Sequence, residues 1–255
     1  MYIEVTGYGP ALVLIHGWAM HSGVFAPLVE QLRPHHTLYL VDLPGHGYNH
    51  TTPTPLALPQ VVHAIAAATP PAVWLGWSLG GLFALHAAAT LPQVRGLIML
   101  AATPCFVRRE DWPHAVEVSI FTQFAQDLKQ NYTETINRFL ALDTLGSTHA
   151  QSELRQLRKI LNARHTPNTA TLQAGLELLA HTDLRRAVID LTPPSLWIAG
   201  QRDRLVPAAS IQAATALAPS GQTELLTITG GGHAPFLSHA NQMTAALQHF
   251  IATLP

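Results

Sequence analysis

The chain is poor in charge. Lys and Arg number 14 and Asp and Glu 15, which is 11 % of 255 residues with a net charge of −1, against roughly 25 % in ordinary soluble domains. A binder that works by bulk positive charge on nucleic acid is thereby disfavoured. Apolar residues make up 48 %, too many for a disordered chain. There is one cysteine, Cys105, so neither a disulfide framework nor a Cys-rich zinc site is available. The single cysteine fits a cytosolic address, and the opening residues Met1 to Val5 carry no basic region and no apolar core, so no signal peptide is expected. No Asp, Glu, Lys or Arg occurs between Asp42 and Arg95. Within that gap Ala72 to Leu91 is long enough to cross a bilayer. It also carries Ser78, His86, Thr90 and the glycines Gly76, Gly80 and Gly81, and a strand followed by a buried helix explains it better than a membrane span.

What is present is a rhythm. The short apolar runs Ala11–Ile15, Thr37–Val41, Val73–Leu75, Leu97–Leu100, Ser195–Ile198 and Glu224–Ile228 read as strands. Each is uninterrupted rather than alternating, as parallel strands buried on both faces are. Helix candidates follow most of them, at about 24–33, 56–68, 79–90, 207–217 and 240–253. This alternation implies an α/β fold, a mostly parallel central sheet flanked by helices, with ligands gathered at the carboxyl ends of the strands. The Pro-rich stretch Thr52 to Pro59 reads as a loop entering a helix.

Between about 104 and 186 the rhythm breaks. Ile120–Leu128, Thr133–Leu142, Ser152–Leu161 and Thr169–Leu179 look helical, and ten of the 14 basic residues and nine of the 15 acids fall here. The expected organisation is a core of 1–103 and 187–255 with an inserted helical lid of 104–186.

Gly76-Trp77-Ser78-Leu79-Gly80 has the form G-x-S-x-G between a strand and an Ala/Leu-rich helix. A serine on such a sharp turn has an exposed hydroxyl, and the flanking glycines let neighbouring chain pass close. The bland alternative is a helix-capping serine in a Gly-rich turn. A serine hydroxyl needs a base. Of 15 histidines, His233 follows the last strand in Gly230-Gly-Gly-His-Ala-Pro235, whereas the competitors His16 and His46 precede the serine. The base needs a carboxylate to set its tautomer. Asp203 follows the strand Ser195–Ile198 and is the candidate, with Asp42 as fallback; a solvated turn aspartate paired with Arg202 or Arg204 is its alternative. An oxyanion needs two N–H donors. Leu79 offers one at a helix N-terminus, and Trp18, in His16-Gly17-Trp18 after the first run, offers the other. The indole of Trp18 would floor the substrate pocket or simply fill the core. Asp42-Leu-Pro-Gly-His-Gly47 reads as a structural turn.

The order Ser78, Asp203, His233 is that of the α/β-hydrolases, and the chain resembles that family over essentially its full length. More narrowly it is similar to the pimeloyl-[acyl-carrier protein] methyl ester esterases of biotin synthesis. The selective features are Trp74–Gly81 together with Pro104-Cys-Phe106 and Phe139-Leu-Ala-Leu142; His16–Met20, Asp42–Gly47 and Gly232–Phe236 are widespread among hydrolases. The resemblance implies a serine esterase that frees the distal carboxylate of pimeloyl-[acyl-carrier protein] and releases methanol. It places Trp18, Ser78, Leu79 and His233 around the ester, and Phe139, Leu140, Ala141, Leu142 and Asp143 along the acyl channel. The last of these stands where the family often has glutamine. No metal or cofactor is implied, nor a nucleic-acid or membrane partner, and a monomer is expected.

Arg155, Arg158 and Lys159 share one helix face, with Arg138 on a neighbouring helix. Such a patch would steer an acidic carrier protein; the alternative is an ordinary solvated face, and Glu134 and Glu153 would dilute it. Glu134 and Gln151 also stand where the family's arginines would be expected. Two other readings compete. A general carboxylesterase or carbon–carbon bond hydrolase would use the same triad on a small free substrate, which a comparison of carrier-linked with free methyl pimelate would separate. A non-catalytic binding protein on the same fold would fail to label at Ser78 with a fluorophosphonate. A dehalogenase is disfavoured, since its aspartate position is Ser78.

Overall fold

The charge-free stretch of sequence becomes the centre of the molecule. The computed structural model describes residues 1–52 and 55–254. In it strand β4 (Ala72–Trp77) is buried at every position and lies in the middle of a seven-stranded sheet. Its helix α3 (Leu79–Thr90) is apolar all round and buried from Leu79 to Leu85. Each fully buried Leu or Phe on it contributes about 2 kcal/mol, which outweighs the ~1 kcal/mol that each of Gly80 and Gly81 costs a helix. No helix among the described residues is long and apolar enough to cross a membrane.

The remaining strands are β1 (Tyr2–Thr6), β2 (Ala11–Ile15), β3 (Thr37–Asp42), β5 (Val94–Leu100), β6 (Ser195–Gly200) and β7 (Thr223–Ile228), in the order β1-β3-β2-β4-β5-β6-β7. All pairs are parallel except β1 with β3. The sequence reading overlooks β1. Its residues are half-exposed at a sheet edge, so it needs no continuous apolar run. Strand β7 departs from the expectation of burial on both faces. It is the other edge, with Glu224, Leu225 and Thr227 exposed.

Helices α1 (Ala26–Leu32), α2 (Leu58–Ala67), α9 (Ala208–Thr215) and α11 (Ala240–Thr253) stand where the sequence expects them. The short α8 (Arg185–Ile189) and α10 (Pro235–Ser238) are about one turn each, too short to show a helical period in the sequence. Of the Pro-rich loop before α2, residues 53 and 54 lie outside the described residues.

Between β5 and β6 the chain leaves the sheet for α4 (Val118–Gln130), α5 (Tyr132–Thr144), α6 (Ala150–Leu161) and α7 (Thr169–His181). These helices bury one face each, for example Glu153, Leu157 and Leu161 on α6. We propose 104–186 as the lid and 1–103 with 187–255 as the core, noting that α8 begins just inside that boundary and packs on α3.

The lid is tied to the core by buried polar contacts. Arg164, in the loop after α6, donates to both Asp42 oxygens at 3.1 and 3.0 Å, to Ser22 Oγ at 2.8 Å and to Glu4 Oε2 at 3.1 Å. Its guanidinium lies over the Tyr48 ring. Asp42 also accepts the N–H groups of Ser22 and Tyr48 at 2.8 Å. The fallback acid of the sequence reading is thus fully occupied with structure.

Candidate active site

Ser78 joins β4 to α3 with φ 54° and ψ −122°, a left-handed conformation for a residue with a side chain. Such a backbone costs about 1–3 kcal/mol and is held by its surroundings. Its N–H donates to Leu100 O at 3.0 Å, and its carbonyl accepts from Gly81 N at 2.9 Å. Two glycines make the turn possible. A Cβ on Gly76 would sit 2.3 Å from Gly80 O, and one on Gly80 would sit 2.2 Å from Ile15 O. The Ser78 side chain makes no capping bond, so the capping alternative is excluded by geometry.

The hydroxyl instead meets an imidazole. Ser78 Oγ is 2.8 Å from His233 Nε2, and His233 Nδ1 is 2.8 Å from Asp203 Oδ2. Asp203 Oδ1 accepts the N–H groups of Leu205 at 2.8 Å and Val206 at 2.9 Å, which fixes the carboxylate with its other oxygen aimed at the ring. In this arrangement Nδ1–H donates to Asp203 and Nε2 accepts the serine proton. The His233 backbone is clamped as well. Its N–H donates to Asp143 O at 3.1 Å, and its carbonyl accepts Trp77 Nε1–H at 2.8 Å. The loops after β6 and β7 touch so closely that a Cβ on Gly200 would lie 2.0 Å from Gly232 O. Burial alone pushes the His233 imidazole down. The charge and hydrogen bond of Asp203 outweigh it and hold the group above its ordinary 6.5.

His16 and His46, the competing bases, are removed from the chemistry. His16 Nε2 accepts Leu43 N–H at 3.0 Å, which leaves Nδ1–H to donate to Gly17 O at 2.8 Å. Burial drives His16 down to about 3 and His46 to about 4, so both are neutral and structural. The loop that His16 braces runs against the serine. A Cβ on Gly17 would meet Ser78 Cβ at 3.1 Å, and Ala19 has φ 63°.

Trp18 neither floors an open pocket nor merely fills the core. Its Nε1–H donates to Leu172 O of α7 at 2.8 Å, and its ring centroid is 4.4 Å from that of Phe139 on α5. Gly175 on α7 lets it in, since a Cβ there would lie 2.7 Å from the indole. Trp18 therefore docks the lid helices onto the core beside Ser78.

The expected channel residues divide between two faces of α5, because a helix turns 100° per residue. Phe139, Leu140 and Asp143 face inward and are buried. Ala141 and Leu142 face the other way and, with Arg138, Phe124, Ile120 and Leu145, line an open cleft of about 660 Å³ between α4 and α5. Ser78 is 2 % and His233 1 % exposed, and neither lines that cleft. The residues expected along the acyl channel, Phe139 to Asp143, thus divide between one buried face and one cleft face.

Arg155, Arg158 and Lys159 are exposed on α6, as expected. Arg158 Nε donates to Asn137 Oδ1 at 3.1 Å, which ties α6 to α5. Arg138 is engaged by Asp127 Oδ2 at 2.5 Å and lies over the Phe124 ring. Glu153 does not dilute the patch. It is fully buried and accepts from Ser238 Oγ. Glu134 serves the α5 N-terminus, reciprocating the Asn131 cap. The role of Arg164 is not legible in the sequence, because no local pattern marks a partner 122 residues away. Among the described residues no group of three or more His, Cys, Asp or Glu could hold a metal ion.

Comparison with known proteins agrees with this geometry. Residues 10–240 match the family model of the alpha/beta hydrolase fold. A protein of Xylella fastidiosa strain M23, named pimeloyl-[acyl-carrier protein] methyl ester esterase, is 98 % identical over 255 residues, covering 100 % of both chains. A protein of the same name from Xanthomonas campestris pv. campestris strain B100 is 68 % identical with the same coverage. Among solved structures, an esterase from Exiguobacterium antarcticum superposes with TM-score 0.89 at 20 % identity, covering 99 % of this chain and 95 % of the other. A bromoperoxidase from Bacillus anthracis does so with TM-score 0.88 at 19 % identity, covering 98 % and 95 %. These two bear on the fold alone. The strained serine between β4 and α3, the matched family model and the full-length relatives agree: the chain belongs to the alpha/beta hydrolase fold family, among the pimeloyl-[acyl-carrier protein] methyl ester esterases.

Proposed function

We propose that this protein is a serine esterase that hydrolyses the methyl ester of pimeloyl-[acyl-carrier protein], releasing methanol and leaving the pimeloyl carboxylate on its carrier. The observation that carries the chemistry is the unbroken chain Ser78 Oγ, His233 Nε2, His233 Nδ1, Asp203 Oδ2, with both links at 2.8 Å. The substrate comes from the full-length relatives.

His233 takes the Ser78 proton as Oγ attacks the ester carbonyl. The Trp18 and Leu79 N–H groups receive the oxyanion, one from the loop packed on Ser78 and one from the first turn of α3. His233 then gives the proton to the leaving methoxide, and methanol departs. Water, deprotonated by the same nitrogen, attacks the acyl-serine, and the proton returns to Ser78 as the acid leaves. The buried face of α5, Phe139 and Leu140, supplies apolar contact for the acyl chain. Ala141 and Leu142, on the cleft between α4 and α5, lie on its way in. The basic face of Arg155, Arg158 and Lys159, with Arg138 at the cleft, receives the acidic carrier protein.

Replacing the nucleophile tests the reading. Ser78→Ala lowers kcat for short p-nitrophenyl esters and for the carrier-linked methyl ester by about 10⁴-fold or more, with an unchanged circular dichroism spectrum. Turnover retained by a folded Ser78→Ala protein refutes it.

A further inference from the structure

Asp143 is an acid at this site for which the triad has no use. Phe139, one turn earlier on the same face of α5, lies against Trp18, while the Asp143 carbonyl holds the His233 N–H at 3.1 Å. That face of α5 therefore spans the site from the oxyanion side to the imidazole side. Asp143 is 1 % exposed, and neither of its side-chain oxygens has a hydrogen-bond partner among the described residues.

The charged groups bearing on it are His233, from the loop after β7, and Asp203, from the loop after β6. Other charges on the elements packed around α5 are engaged elsewhere or exposed. Asp127 on α4 pairs with Arg138 on the opposite face, Glu153 on α6 is bonded to Ser238, and Arg204 lies against Gly146. A buried carboxylate without a donor is costly, and the group escapes that cost by keeping its proton. Burial pushes Asp143 up to about 7, with His233 pulling down and Asp203 pushing up.

The reaction changes the charge of what occupies the site. The ester is neutral, and the product is a carboxylate formed at Ser78, beside His233. Two carboxyl groups in one dry site share a proton rather than both ionising. We propose that Asp143 is a charge-selecting residue of the active site: protonated and compatible with the uncharged ester, but in its anionic form set against the carboxylate that hydrolysis produces, so that it discriminates ester from acid and speeds product release. The proposal rests on the esterase reading for the chemistry of the product.

The test is inhibition of p-nitrophenyl butyrate hydrolysis by hexanoate and by the uncharged hexanamide, from about pH 5.5 to about pH 8.5. The proteins compared are the full-length wild type, Asp143→Asn and Asp143→Gln. The amide corrects for any change in packing. The ratio of the hexanoate to the hexanamide inhibition constant climbs with pH at least about tenfold more in the wild type than in either variant, about 1.4 kcal/mol. Parallel climbs overturn the proposal. Should the variants turn over too slowly for inhibition assays, calorimetry in buffers of different ionisation enthalpy replaces it. The wild type then takes up more protons per hexanoate bound, and equal uptake overturns the proposal. A folded Ser78→Ala protein that still hydrolyses the ester defeats the esterase reading instead, whatever the ratios show.

Discussion

At the scale of single residues the site is built from side chains held away from their comfortable states. Ser78 is kept at φ 54°, His233 above and Asp143 far above their ordinary protonation ranges. For Asp143 this has a consequence for stability. Its folded value is raised from 3.8 to about 7, so the folded state binds this proton more tightly than the unfolded chain does. The associated stability is fully present below about pH 4 and is lost as pH rises through about 7. Asp143→Asn removes the loss. Its melting temperature relative to wild type therefore climbs between about pH 4 and about pH 8, with a stability gain of up to about 4 kcal/mol. Thermal melts across that range check it, and a constant difference speaks against a buried, proton-holding Asp143. Asp143 could not be read in this way from the sequence. The family resemblance put it on the acyl channel, but its lack of a hydrogen-bond donor depends on how α5 is rotated over the His233 loop.

At the scale of elements, the junction between core and lid depends on a buried ion pair. Arg164 is 11 % exposed in its side chain and Asp42 is fully buried. Burial alone would raise the Asp42 carboxyl; the N–H donors of Ser22 and Tyr48 counter it, and the group is held below its ordinary value. Truncating one partner strands the other. Arg164→Met costs about 3 kcal/mol in urea unfolding. Removing Arg186 from its exposed pair with Asp190, where both side chains are more than half exposed, costs about 0.5 kcal/mol or less. Equal costs would show that the junction contributes nothing special. Because Asp42 is depressed, its contribution is present above its unfolded value near 4 and is lost as pH falls through the folded one. Elements also differ in how openly the sequence displays them. Helix α3 is legible because the Ala/Leu-rich stretch after Ser78 suits a buried helix, and α11 because Met243, Leu247 and Phe250 recur at helical spacing. Strand β1 is not, because an edge strand that pairs antiparallel on one side needs no apolar run.

At the scale of the whole molecule, a chain of net charge −1 concentrates its basic residues in one region. On α6 the charges Arg155, Arg158 and Lys159 face outward while Glu153, Leu157 and Leu161 face in. Such a surface acts mainly on encounter rate and is screened by salt over about 10 Å at 0.1 M. Reversing the three charges to Glu lowers kcat/KM for carrier-linked substrate about tenfold or more at low salt relative to that for a p-nitrophenyl ester, and the difference shrinks in high salt. Equal losses on both substrates, or a loss indifferent to salt, would place the effect in the fold instead of the encounter.

The amino-acid order by itself determined the parallel sheet, the inserted helices and the three members of the triad. Continuous apolar runs, the G-x-S-x-G turn and the carboxyl ends of strands are local signals with one physical meaning each. Tertiary structure alone decided what depends on rotation and distance. It set which face of α5 looks inward, and it found Arg164 a partner 122 residues away. It made Trp18 the contact that docks the lid, and it left Asp143 beside His233 without a donor. Those outcomes turn on how helices pack over the ends of strands, and side-chain contacts of that kind leave no periodicity in the chain.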